Sequence, residues 1–409
     1  MKKLLSLVLA VLLCGMLALP AYADQHSGQP DDETGEDPVP VYKLEQELQK
    51  AAGFSPETSL PVKSAILMEQ QSGKVLYEQN ADQPLPPASV TKIMTLLLVM
   101  EALDSGKLAP TDKVTCSDTA AAYGGSQIWL EPGEQMTVDE LLRATAIASA
   151  NDAAVALGEH IAGSELAFVQ RMNDRARELG MTNTTFKCAA GLDNEGHLTT
   201  ARDIAIMSRA LMEHPRIQDY TTVWMDSLRG GATQLVNTNR LVRFYEGATG
   251  LKTGTTSGAG SCLSATAQRD GLGLVAVVMG APTSDDRFAA ARALLDWGFA
   301  NYQCVKITPP DPLGPLAVTG GTAPEVALLA IPPAGVVVPR SQANGLEQKL
   351  VLPDLLEAPV QEGQEVGRVE VRAEGQKLLD YPVCAAAAVP EMTLSRALGA
   401  LWGSLLRAA

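Results

Sequence analysis

Hydrophobic and polar positions change period several times along the chain, and each change marks an element. Residues 4–19 form a largely apolar run behind Lys2-Lys3, closed by Pro20. Ala65-Ile-Leu-Met68 reads as a strand, Gln71-Ser-Gly73 as a turn and Lys74-Val-Leu-Tyr77 as the returning strand of a hairpin. The run Ile93, Met94, Leu96, Leu97, Leu98, Val99 and Met100 is long enough for a buried helix. Residues 138–161 are rich in Ala and Leu and predict mostly helix, continued over 165–179. Thr200-Ala-Arg-Asp203 has the form of a capping box with Asp in place of Glu, opening a helix through Ala205, Ile206, Met207 and Leu211. Strands return at 261–267 and 272–280 around the turn Arg269-Asp-Gly271, and a last helix covers 285–299. Strands at both ends with helices between them predict a sheet packed by a helical region, an α/β (α+β) domain over 42–304.

Beyond Cys304 the pattern changes. Pro309, Pro310, Pro312 and Pro315 mark a boundary, and short β-rich runs follow, so 305–389 reads as a small β domain. The tail, 390–409, projects as an amphipathic helix. Leu394, Leu398, Leu401 and Leu405 share a stripe with Trp402 and Leu406 at its edge, opposite Arg396, Gly399, Gly403 and Arg407. Such a helix is suited to lying in a membrane interface and is too short to span one. The β domain offers no other helix to receive it.

At the other end, the cationic start, the apolar run and the small-x-small site Ala21-Tyr-Ala23 form a secretory signal over 1–23, cleaved after Ala23. Leu13 is too large for a lipid-attachment motif at Cys14. Residues 24–41 read as a solvated acidic leader. The expectation is an exported protein.

Charge and cysteines then remove several classes. Lys+Arg 32 against Asp+Glu 47 give a net charge of −15, which disfavours a nucleic-acid partner. Removal of Cys14 leaves Cys116, Cys188, Cys262, Cys304 and Cys384, an odd number without a C-x-x-C pair. A disulfide framework is not expected, although one bridge is possible; most read as small buried hydrophobes. The four histidines form no H-E-x-x-H, and no metal or other cofactor is expected.

Three short motifs carry candidate chemistry. Ser89-Val-Thr-Lys92 opens the 93–100 helix and puts a hydroxyl and an amine one turn apart on one face. A serine needs a base to become a nucleophile, and lysine serves when burial or another cation favours its neutral form. Chance alone supplies about one S-x-x-K in a chain this long. Ser149-Ala-Asn151 offers a second hydroxyl and a carboxamide at a helix–loop junction. Lys252-Thr-Gly254 places a cation on a strand edge beside a glycine that permits close approach, which suits a substrate carboxylate. Each occurs once, in this order.

Together the motifs resemble the signature of penicillin-recognising serine enzymes. Their surroundings, Pro87-Ala-Ser-Val-Thr-Lys-Ile-Met-Thr95, Ser149-Ala-Asn-Asp-Ala-Ala-Val-Ala156, Gly191-Leu-Asp193 with Thr199-Thr-Ala-Arg-Asp203, and Gly250-Leu-Lys-Thr-Gly-Thr-Thr256, resemble the D-alanyl-D-alanine carboxypeptidase family of low-molecular-weight penicillin-binding proteins. The resemblance runs from about Tyr42 to the tail. It implies the penicillin-binding-protein/β-lactamase fold, a C-terminal β domain and an anchoring helix on the outer face of the bacterial cytoplasmic membrane. It implies hydrolysis of D-Ala-D-Ala on peptidoglycan stem peptides and acylation by β-lactams. Ser89 would be the nucleophile, Lys92 its base and Ser149 the proton relay to leaving D-alanine. Asn151 would hold the substrate amide. Lys252, with Thr253, Gly254 and Thr255, would take the terminal carboxylate, and the charge of Lys252 would help keep Lys92 neutral. The N–H groups of Ser89 and Thr255 would form the oxyanion hole. Thr255 departs from members with histidine there, which bears on substrate preference and deacylation. Arg287 could assist with the carboxylate, although a surface-helix role is the commoner reason for such an arginine.

A D,D-endopeptidase would use the same residues. A class A β-lactamase would add a glutamate in E-x-x-L-N; the nearest segment, Glu195-Gly-His-Leu-Thr199, ends in threonine. A silent wall-binding homologue would not need all five polar groups. No G-x-S-x-G occurs, which sets aside a Ser-His-Asp hydrolase of that type.

Overall fold

The computed structural model describes residues 54–399 and Trp402. The signal at 1–23, the leader at 24–41, the fold start at Tyr42 and tail positions 400, 401 and 403–409 lie outside the described residues.

Five strands form the main sheet: β1 (Ser64–Glu69), β2 (Val75–Gln79), β3 (Ala248–Thr256), β4 (Gly260–Arg269) and β5 (Leu272–Ala281). Their order is β2-β1-β5-β4-β3, with every neighbouring pair antiparallel. Strand β5 is buried along its whole length, which explains its continuous apolar text. A strand covered on both faces has no solvent side to require alternation. Val275, Val277 and Met279 pack with the large helical core, while Leu274, Ala276 and Val278 pack on the opposite side.

The helices used below are α1 (Lys92–Asp104), α2 (Val138–Ile147), α3 (Asn151–Ala162), α4 (Glu165–Glu178), α5 (Ala201–Met212) and α6 (Ser284–Asn301). Helix α1 is the centre of the larger core; Ile93, Met94, Leu96, Leu97, Val99 and Met100 are all buried. Helix α6 covers the other face of the sheet through Phe288, Leu294, Leu295 and Phe299. Thr200 caps α5 as the sequence indicates, accepting the Asp203 N–H at 3.1 Å.

Three local features differ from the sequence reading, and all three bear on the motifs. Ser89 does not lie in the α-helix of Lys92. It sits in a 3-10 turn, Ala88–Thr91, that feeds α1. The helix expected over 138–161 is broken between Ile147 and Asn151, with Ser149 at φ +64°. Residues 248–256 form a full edge strand; the sequence reading put Lys252 on a strand edge but marked a strand run only from 261. Two glycines and a polar Lys-Thr pair leave this segment without a period-2 signal.

Among residues 306–391, Leu328–Ala330, Leu346–Val351, Glu365–Ala373 and Gln376–Ala385 form a four-stranded sheet. Gln376–Ala385 escaped the sequence reading because Pro382 argues against an interior strand. Val318, Val338, Val369, Val371, Tyr381 and Val383 fill a core of their own. Residues 394–399 are helical, and Leu394, Leu398 and Trp402 are exposed. No described helix is long and apolar enough to cross a membrane. The five described cysteines are all free, so no bridge forms among them.

Because Leu97 on α1 is fully buried in the larger core, truncation there leaves a void that little can fill. Leu97→Ala should lower the unfolding free energy by about 2–5 kcal/mol in urea titration. A loss below about 1 kcal/mol would contradict the central placement of α1.

Candidate active site

The 3-10 turn decides the geometry of the first motif. Side chains at i and i+3 eclipse in such a turn, closer than in an α-helix. Lys92 Nζ donates to Ser89 Oγ at 2.8 Å. It also donates to the carbonyl of Ala190 at 2.9 Å and reaches Ser149 Oγ at 3.5 Å. Ser89, Lys92 and Ser149 are all buried, Lys92 completely. One amine thus gathers two hydroxyls from distant parts of the chain.

Backbone strain flanks both hydroxyls. Ala88 has φ +49° and Ser149 φ +64°, conformations that cost a non-glycine residue about 1–3 kcal/mol. The left-handed residue at Ser149 turns the chain between α2 and α3 and points the second motif at Lys92.

Asn151 opens α3 and is fully buried. Its Nδ2 donates to Gly124 O at 2.7 Å, which fixes the carboxamide orientation. Its Oδ1 has no hydrogen-bond partner among the described residues. A buried acceptor left open in this way is placed to take an N–H from a ligand. The neighbouring Asp152 accepts the N–H groups of Ile128 and Leu130 at 3.2 and 3.0 Å, locking the 124–130 loop beside the motif.

The third motif lies on β3, at the open edge of the sheet. Lys252 is buried and donates to Thr253 O at 3.0 Å, and Thr253 Oγ1 donates to Thr238 Oγ1 at 2.7 Å. Gly254 explains how closely β3 approaches the nucleophile. A Cβ there would meet Ser89 N at 2.8 Å, Val90 N at 2.9 Å and Ala88 Cβ at 2.9 Å. Only glycine lets the strand lie against the Ser89 amide. Thr255 Oγ1 accepts from Arg287 Nη1 at 2.7 Å, and Gly254 O accepts from the same nitrogen at 3.3 Å. The surface-helix expectation for Arg287 is therefore corrected. It is buried in the first turns of α6, with its guanidinium against the strand that carries the Lys-Thr-Gly motif.

Several contributors carry no side-chain motif. The Ala190 carbonyl acts through its backbone, so no residue type could announce it. It belongs to a strap, 187–199, fastened on all sides. Ala189 N donates to Glu165 Oε1 at 3.1 Å, and Tyr123 donates to the same carboxylate. Thr95 Oγ1 donates to Ala189 O at 2.8 Å. Asp193 accepts from Thr256 Oγ1 at 2.7 Å and from the Gly258 N–H at 3.1 Å. Gly191, at φ +94°, lies so close to the 3-10 turn that a Cβ would come within 2.0 Å of Ala88 O. Glu195, the β-lactamase-like glutamate of the sequence comparison, is exposed.

His197 closes the strap onto the first motif. Its Nδ1 accepts the Lys187 N–H at 3.0 Å, so the proton sits on Nε2, which faces Thr91 Oγ1 at 2.9 Å. Burial pushes its pKa down to about 4, against an upward pull from Asp193 and with a further downward push from Lys187. The sequence reading weighed this histidine only as a metal ligand.

With that geometry in place, comparison with known proteins is specific. The family description D-alanyl-D-alanine carboxypeptidase matches residues 50–283, and penicillin-binding protein 5, C-terminal domain, matches 306–391. The chain is 43% identical over 334 residues to D-alanyl-D-alanine carboxypeptidase DacF of Bacillus subtilis, covering 80% of this chain and 86% of that one. It is 38% identical over 334 residues to DacC of Escherichia coli, covering 80% and 83%. Among solved structures, penicillin-binding protein 5 from Haemophilus influenzae superposes with a TM-score of 0.73 at 31% identity, over 83% of this chain and 100% of that one. Penicillin-binding protein D2 from Listeria monocytogenes, in its ampicillin-bound form, gives 0.54 at 35% identity, over 59% and 98%.

The buried histidine generates a pH prediction. Between about pH 6.5 and 4 the unfolded chain binds a proton at His197 that the native chain refuses, so stability falls as pH falls through this window. The full effect is on the order of 3 kcal/mol. His197→Gln keeps a donor toward Thr91 and cannot titrate. Its loss of stability from pH 7 to about pH 4.5 in urea titration should be smaller than wild type's by about 2 kcal/mol. Equal losses would contradict the buried neutral imidazole.

Proposed function

The chain belongs to the D-alanyl-D-alanine carboxypeptidase family and is a serine-type D-Ala-D-Ala carboxypeptidase, and on that premise we propose that it works through an acyl-enzyme on Ser89 at the outer face of a bacterial membrane. The observation that carries the mechanism is the Lys92 amine, 2.8 Å from Ser89 Oγ and 3.5 Å from Ser149 Oγ. Burial favours the neutral amine, the form that can take a proton.

The substrate is a peptidoglycan stem ending in D-Ala-D-Ala. Lys252 draws its terminal carboxylate toward β3, and Asn151 Oδ1 receives an amide N–H. Ser89 Oγ attacks the penultimate carbonyl as its proton passes to Lys92. The close approach of β3 at Gly254 sets the Ser89 N–H and the backbone at Thr255 around the developing oxyanion. Collapse breaks the C–N bond, and the proton returns through Ser149 to the amine of departing D-alanine. Water then hydrolyses the ester and frees Ser89. Arg287 holds Thr255 and Gly254 in place for the carboxylate. A β-lactam presents a similar amide and carboxylate and acylates the same oxygen.

The signal-like residues 1–23 support export. The exposed Leu394, Leu398 and Trp402, four residues apart, support a helix lying on the membrane.

Release of D-alanine from a pentapeptide ending in D-Ala-D-Ala tests the reaction. Ser89→Ala should lower the rate by at least about 10³-fold, and activity surviving in that variant would sink the mechanism. Gly254→Ala should slow release by about 10²-fold, since a displacement near 1 Å at the reacting atoms costs that much. A normal rate would mean that β3 need not touch the Ser89 amide. For the anchor, mature chain should sediment with anionic lipid vesicles and a chain ending at Pro390 should stay in the supernatant. Equal partitioning of the two would refute the anchoring role.

A further inference from the structure

Trp129 leaves 77% of its surface to water and has φ +58°. A lone exposed aromatic is ordinary, but one held in the left-handed region carries strain that the surroundings must enforce. The enforcement is visible. Ile128 and Leu130 on either side are buried, and their N–H groups donate to Asp152 at 3.2 and 3.0 Å. Arg229 donates to Ile128 O at 2.7 Å and Trp129 O at 3.4 Å, while Glu134 holds the guanidinium at 2.8 and 2.9 Å. The backbone is clamped from both sides, and the indole is the part turned outward.

The same segment is built onto the active site. Asn151 donates through Nδ2 to Gly124 O and through its backbone N–H to Ser126 O, both at 2.7 Å. The clamp on Trp129 comes from the very next residue, Asp152. By consecutive Cα spacing Trp129 lies within about 12 Å of Ser126, a span of three to four extended peptide residues. The buried, open acceptor at Asn151 and the clamped aromatic at Trp129 are thus tied to one loop, 124–130, by the consecutive residues Asn151 and Asp152.

Resting on the carboxypeptidase reading, we propose that Trp129 is a specificity-determining residue that receives the side chain of the residue preceding D-Ala-D-Ala in the stem. The fitting chemistry is a long aliphatic chain ending in an ammonium, as a diamino acid supplies. Its methylenes cover the indole, and the cation gains from the face of the ring, for which tryptophan is the best partner. Exposed Glu131 on the same loop and the net charge of −15 add a favourable field for a cation.

The test compares three peptides, Nα-acetyl-X-D-Ala-D-Ala with X as lysine, Nε-acetyl-lysine or glycine, on wild type and Trp129→Gly. Glycine suits the positive φ, so this variant should fold at least as well as wild type, and Trp129→Phe serves as the conservative partner. In Trp129→Gly, kcat/KM should fall about 3- to 30-fold for the lysine peptide, less for the acetylated one, and within about twofold of wild type for glycine. Trp129→Phe should recover part of the loss. A uniform fall across all three peptides, or no fall, would overturn the proposal. D-alanine release from the glycine peptide by both proteins separates a loss at Trp129 from failure of the carboxypeptidase reading. Absence of release from every peptide by wild type would overturn both.

Discussion

The site depends on one buried amine. Lys92 Nζ bonds Ser89 Oγ, the Ala190 carbonyl and, more loosely, Ser149 Oγ, and so joins three segments widely separated in sequence. Burying a lysine is costly unless its surroundings supply partners. Here the partners are the groups on which the reaction runs, so the interaction that satisfies the amine also assembles the nucleophile. The fold then has to hold each partner still. Helix α1 does so through its buried apolar residues, and the 187–199 strap does so through Glu165, Thr95, Asp193 and His197.

Strain and close contact are concentrated where the three motifs meet. Ala88 and Ser149 are left-handed although neither is glycine, while Gly191 and Gly254 stand where any Cβ would strike the turn carrying Ser89. Gly191 and Gly254 both close on the turn at Ala88–Thr91. The large cores on both faces of the sheet are what make such local costs tolerable. Specific chemistry and general stability are in this sense separate layers of the same sequence.

Much of this was legible beforehand. The buried helix after Lys92, the hairpin at 65–77 and the two long strands at 260–281 follow from apolar period alone. The motif residues stood out by type and order. What escaped had physical reasons. Strand β3 carries glycines and polar residues because it is an edge that serves a ligand, so it lacks the alternation of a packed strand. The break at Ser149 needs a positive φ from a residue that does not advertise one. Ala190 works through its carbonyl, and Arg287 looked like a surface charge until α6 was seen to bury it against Thr255. His197 was visible only as a histidine, with its tautomer and its hold on Thr91 set by tertiary contacts.

If Lys92 is the hub and the base, replacing it with a residue of similar length and no titrating group should leave the fold and remove the chemistry. The second-order rate of acylation by a labelled penicillin in Lys92→Met measures this directly. The account predicts a fall of at least about 10³-fold with cooperative unfolding retained. Acylation within about tenfold of wild type would contradict it.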